Sequence, residues 1–77
     1  MAEGITYDLE GQEGIQIWTN LPEGTKLTLT DGSKGVIVAN PQDGGFVQIE
    51  YTEHPDNPSL VGTEEYIFFN QVKEAEG

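Results

Sequence analysis

The chain has no arginine and no cysteine, and its only lysines, Lys26, Lys34 and Lys73, stand against 14 acidic residues. The missing cysteines exclude a disulfide framework and thiolate chemistry. Small secreted domains lean on such staples, so a reducing cytoplasm is the expected compartment. Without arginine, and with scattered lysines, the chain lacks the means by which proteins neutralise the phosphates of DNA or RNA. At a formal charge of -11 its long-range field repels nucleic acid and anionic lipid alike, so direct binding to either is not expected. Long apolar runs are lacking too. The longest, Gly35 to Ala39, falls far short of the ~20 residues that span a bilayer. The opening Met1-Ala2-Glu3-Gly4 has neither a basic region nor an apolar core, so no secretory leader is expected.

What is present is β-prone. With 77 residues, 35% hydrophobic and 22% charged, the composition fits one soluble globular domain. Ile5, Tyr7 and Leu9 alternate with Thr6, Asp8 and Glu10, which predicts a short first strand, and Gly11 to Gly14 then reads as a turn. Ile15-Gln16-Ile17-Trp18-Thr19 predicts a second strand by composition and alternation, ended by the turn Asn20-Leu21-Pro22-Glu23-Gly24. Lys26 to Thr30 and Gly35 to Ala39 flank Asp31-Gly32, a favoured pair for a two-residue type I′ hairpin turn. That turn sets Leu27 opposite Val36 and Thr25 opposite Val38, and places Leu27, Leu29, Val36 and Val38 on one face. A connection through Pro41-Gln42-Asp43-Gly44 extends the meander, pairing Val38 with Val47 and Val36 with Ile49 and continuing the face to Tyr51. Residues 53–63, with Pro55 and Pro58, predict an irregular loop. Glu65 to Phe69 follows as an aromatic strand, then a tight turn at Asn70-Gln71 before Val72 and Lys73. Residues 74–77 are expected to fray.

The expected architecture is all-β: about five short antiparallel strands that close into a small barrel rather than leave long edges exposed. The barrel spans about residues 15–73, and residues 1–14 could lie over it as a covering strand. Gly24-Thr25-Lys26-Leu27, Gly35-Val36-Ile37-Val38, Phe46-Val47-Gln48-Ile49-Glu50-Tyr51 and Tyr66-Ile67-Phe68-Phe69-Asn70-Gln71-Val72 carry a pattern that resembles the SH3-like barrels as a class, over roughly residues 21–74. The resemblance implies a fold and no function, because such barrels host unrelated roles. Two families of similar length illustrate this. The small barrel subunits of photosynthetic electron transfer, including the stromal SH3-like subunit of photosystem I, share the Gly-Thr-Lys start and Gly-Val second strand. They dock acidic ferredoxin through basic residues that this chain lacks. The type II dihydrofolate reductases line an active pore with Val-Gln-Ile-Tyr. Here Glu50 intervenes in Val47-Gln48-Ile49-Glu50-Tyr51 and turns Tyr51 to the face opposite the one that the family's tyrosine takes, and an acidic pore would repel an anionic substrate.

Catalytic chemistry finds no support. His54, the single histidine, would have to carry any Ser-His-Asp relay or histidine metal site alone, and its setting between Glu53 and Pro55 reads as a solvated loop. Glu64-Glu65 are adjacent on a strand and point to opposite faces, and Glu53-Asp56 form no better a pair. Asp31-Gly32-Ser33 is explained by its turn. Gly11 to Gly14 and Asp43-Gly44-Gly45 lack the basic residue and strand-to-helix setting of a phosphate loop. No cofactor or metal is expected.

The aromatics are more telling. A domain of this size buries only ~60% of its unfolded surface, and the final strand offers aromatic rings to both of its faces. Phe46 lies opposite the Val47, Ile49 and Tyr51 face, and Tyr66 and Phe68 oppose Ile67 and Phe69, so one of those pairs falls outside the core. Either the Ile5 to Leu9 segment or another chain must cover them. Trp18, Phe46, Phe68 and Phe69 are the candidate interface residues. The expected function is a non-enzymatic interaction or assembly module, with a partner protein of basic surface and self-association into a symmetric dimer. An acidic inhibitor that imitates nucleic acid, of the kind encoded by phages and mobile elements, is the alternative. A small barrel enzyme is the third and weakest reading.

Overall fold

Alternating apolar and polar side chains carry the strand segments of this chain into a sheet, as a half-buried sheet requires. The computed structural model describes residues 6–77, and Ile5, where the first strand was expected to begin, lies outside them. Among the described residues six strands form one antiparallel sheet: β1 (Thr6–Tyr7), β2 (Lys26–Leu29), β3 (Lys34–Ala39), β4 (Phe46–Glu53), β5 (Glu64–Phe68) and β6 (Val72–Glu76). Their order is β1-β6-β2-β3-β4-β5. The all-β class holds. Among the described residues the sheet does not close into a hydrogen-bonded cylinder, because β1 and β5 end it as separate edges. Bulges at Thr28/Leu29, Lys34/Gly35 and Ile37/Ala39 supply the extra twist that coils one sheet about its own core.

The hairpin register departs from expectation by one residue. Lys26 faces Val36, Leu27 faces Gly35 and Thr28 faces Lys34. Asp31 has no positive φ, so the type I′ pair is not formed; only Gly32 is left-handed, at φ +93°. Gly32 N–H donates to Leu29 O at 3.0 Å and Leu29 N–H to Ser33 O at 2.8 Å, which closes a loop of Thr30, Asp31 and Gly32. The third loop residue moves every partner by one. The Asp31 carboxylate locks this turn, its Oδ1 accepting from Ser33 N–H at 2.9 Å and Ser33 Oγ at 2.6 Å.

One residue of slip exchanges the two faces of β3. Gly35 and Ile37 point inward, while Val36 and Val38 are only partly buried. Gly35 fits because a Cβ there would stand 2.6 Å from Ile49 Cδ1 and 2.8 Å from Glu50 O. The expected β3–β4 pairs shift likewise: Val36 meets Glu50 and Ile37 meets Ile49, and the bulge before Ala39–Gln48 takes Val38 out of register. On β4 the expected face is correct, with Val47 and Ile49 buried and Tyr51 partly so.

Residues 15–19 are a second correction. Gly14–Thr19 is a helix, α1. Its buried residues are Gly14 and Trp18, with Leu21 buried beyond its end; that i, i+4, i+7 spacing is helical and puts Trp18 into the core. A Cβ on Gly14 would collide with the Leu9 carbonyl, so glycine lets the helix start tight against the preceding chain. Thr19 Oγ1 and Asn20 Nδ2 donate to the carbonyls of Ile15 and Gln16 at 2.7 and 2.9 Å, reinforcing the last turn of the short helix. Asn40 Nδ2 ties the end of α1 to β3, donating to Leu21 O at 2.8 Å and Thr19 O at 3.2 Å.

The tail does not fray. β6 runs to Glu76 and lies between β1 and β2, pairing Ala75 with both Tyr7 and Leu27. Ala75 is fully buried. The core is Trp18, Leu21, Leu27, Leu29, Ile37, Val47, Ile49, Ile67 and Ala75; burying each large member contributes about 1.5–3 kcal/mol.

Candidate protein-interaction surface

Inward alternation on β4 and β5 selects Val47, Ile49 and Ile67, so Phe46, Gln48, Glu64, Tyr66 and Phe68 take the outward face. Phe46 is paired with Phe68, and Gln48 with Tyr66. The Phe46 ring meets Tyr66 edge to face, with centroids 5.1 Å apart, and lies 6.0 Å from Phe68. Tyr66 is 58% exposed and Phe68 51%. Tyr66 and Phe68 therefore both pack against Phe46 yet remain about half exposed to water. A groove of about 370 Å³ extends the patch; Ala39, Pro41 and Glu23 line it with Phe46 and Tyr66. Gln48 Nε2 donates to Glu64 Oε1 at 2.6 Å beside it.

The four expected interface residues divide into two pairs. Phe46 and Phe68 reach this surface. Trp18 is 0% exposed and Phe69 packs on the core, with their ring centroids 5.6 Å apart; neither is free to anchor a partner. Phe69 leaves the strand because β5 ends at Phe68 and a 3₁₀ turn over Phe69–Gln71 redirects it. Tyr66 completes the patch in place of these two. The alternation that put it beside Phe68 was the signal for it. β1 does not cover the patch: Thr6 and Tyr7 pair with β6, at the other end of the strand order from β5.

Glu50 and Glu64 are paired on this outward face, and Glu23 lines the groove. β4 and β5 contribute Glu50, Glu53, Glu64 and Glu65 and no lysine; the lysines sit on β2, β3 and β6. Behind the sheet, burial first, then the charges of Glu65 and Asp31, push the Tyr51 phenol above its usual range. His54 packs edge to face on Tyr51 at 5.1 Å, and its Nδ1 accepts from Asn57 N–H at 3.2 Å, so it braces its own loop. Among the described residues no three His, Cys, Asp or Glu side chains converge as a metal-binding group, and no helix is long and apolar enough to cross a membrane. No protein-family model, curated protein or solved structure matches the chain.

Proposed function

We propose that this chain is a non-enzymatic protein-interaction module of the cytoplasm, which holds a partner of basic surface through Phe46, Tyr66 and Phe68. The half-exposure of Tyr66 and Phe68 on one contiguous aromatic patch with Phe46 carries the reading. Exposed aromatic rings in contact are the usual anchors of protein interfaces, and a polar rim excludes water from them. The placement of charge supports a protein contact over imitation of nucleic acid. Across the outward face the row Glu76, Lys26, Val36, Glu50, Glu64 is broken by a lysine and a valine, whereas a phosphate mimic needs an unbroken series. The test is to compare the proteins co-purifying with the tagged chain from its native host with those retained by Tyr66→Ser and Phe68→Ser. The reading expects a partner with a basic surface that both substitutions release. Identical recovery on all three proteins would overturn it.

A further inference from the structure

β5 is hydrogen-bonded to β4 alone, and the described residues place no strand on its other side. The direction of its backbone groups can be read from two bonds. Thr63 O accepts from Tyr51 N–H at 2.9 Å, so residue 63 points toward β4. Phe68 N–H donates to Gln71 Oε1 at 2.9 Å, so residue 68 points away. Alternate residues of an antiparallel ladder point the same way. Glu64 and Tyr66 therefore hold their N–H and C=O groups toward the open edge, while Gln71 occupies the N–H of Phe68. Natural proteins blunt open edges with charge and short length; here Glu64 and Glu65 and a single capped amide do so, leaving Tyr66 bare at the centre.

Resting on the reading of the aromatic patch as a protein contact, we propose that β5 accepts an extended, lysine- or arginine-rich segment of a partner protein as a seventh strand. The guest backbone pairs with Glu64 and Tyr66, and its alternate apolar side chains lie along Tyr66 and Phe68. Charge selects this occupant. Glu64 and Glu65 lie on the edge strand itself and Glu50 pairs with Glu64 beside it, with no lysine on either strand, so a basic segment is drawn in. A second copy of the chain would bring another charge of -11. Main-chain bonds supply the register in strand addition, and alternate side chains supply the selectivity.

A short blocked peptide alternating lysine with valine is the probe, titrated into the intact chain with amide exchange followed by NMR. Binding should slow exchange at Tyr66 by about tenfold or more and weaken steeply as salt rises. Methylating the peptide nitrogens on one edge, which deletes guest donors without touching the protein, should cost about tenfold in affinity. A glutamate-for-lysine peptide should not bind. Equal affinity for the methylated peptide, with Tyr66 exchange unchanged, would overturn strand addition while leaving the patch as a contact. Failure of the lysine peptide to bind at millimolar concentration would overturn it too. Undiminished binding to folded Phe68→Ser and Tyr66→Ser proteins would instead remove the patch reading itself. A Tyr66 amide already protected in a dimer of the free chain would make a second copy the occupant and overturn the proposal.

Discussion

Trp18 and Phe69 pack ring against ring, with centroids 5.6 Å apart and planes inclined at 47°. One comes from the short helix and the other from the 3₁₀ turn between β5 and β6. This contact joins the helix to that turn across the core. Trp18→Ala should therefore cost about 3–5 kcal/mol, since it removes the largest buried side chain. That is a large share of the total stability of a chain this short. Urea unfolding measures the loss. The same tryptophan is the only one in the chain, so its emission should be blue-shifted and poorly quenched by acrylamide; a solvent-like spectrum would mean that α1 does not dock.

Gly32 sets the β2–β3 register from the left-handed region, at φ +93°. Gly32→Val should cost about 1–3 kcal/mol through backbone strain. An unchanged urea midpoint would show that the three-residue loop does not form.

Asp31 gives the same turn a pH dependence. Hydrogen bonds from the Ser33 hydroxyl and then the Ser33 amide hold its carboxyl below the ordinary value of 3.8. A carboxyl depressed by folding contributes stability that is complete above its unfolded value and fades as pH falls through its folded one. The stability gap between the native chain and Asp31→Asn should thus be constant above about pH 5 and narrow below 3.8. Exposure to solvent keeps the gap small. A gap that widens on acidification would reverse the assignment.

Net charge acts over the whole molecule. With -11 in a small fold, self-repulsion should lower the melting temperature at low ionic strength. Tm should rise between ~10 and ~150 mM salt, as the Debye length falls from about 30 to about 8 Å. A flat or falling response would mean that local attractions around the lysines outweigh the net field.

Much of the fold was legible because one periodicity dominated locally. Val47, Ile49 and Ile67 keep strict alternation, and the strands and faces of β4 and β5 follow from it. The turn after β5 is legible from Asn70-Gln71. Elsewhere two patterns competed. Ile15-Gln16-Ile17-Trp18 alternates like a strand, yet the burial of Gly14, Trp18 and Leu21 obeys a helical spacing that becomes visible only when the residues flanking the segment are counted. Asp-Gly fits a two-residue turn, but Ser33 directly after it draws the Asp31 carboxylate into a longer loop. Ala75 is too small and too acidic in its surroundings to announce a core strand; its burial depends on β1 and β2 closing on both sides. At the candidate surface, Phe46 and Phe68 were legible from face alternation. Trp18 and Phe69 were not, because helix α1 and the bend after β5 turn them inward.

The pairing of Thr6 with Glu76 brings positions at opposite ends of the described chain side by side. A short, flexible peptide could join those ends without crossing the sheet, turning the protein into a ring. The ring could then be opened in the exposed Pro41–Asp43 segment, where loops tolerate breaks. Such a permuted chain would make β1 and β6 a covalent hairpin while keeping the neighbours of β5 unchanged.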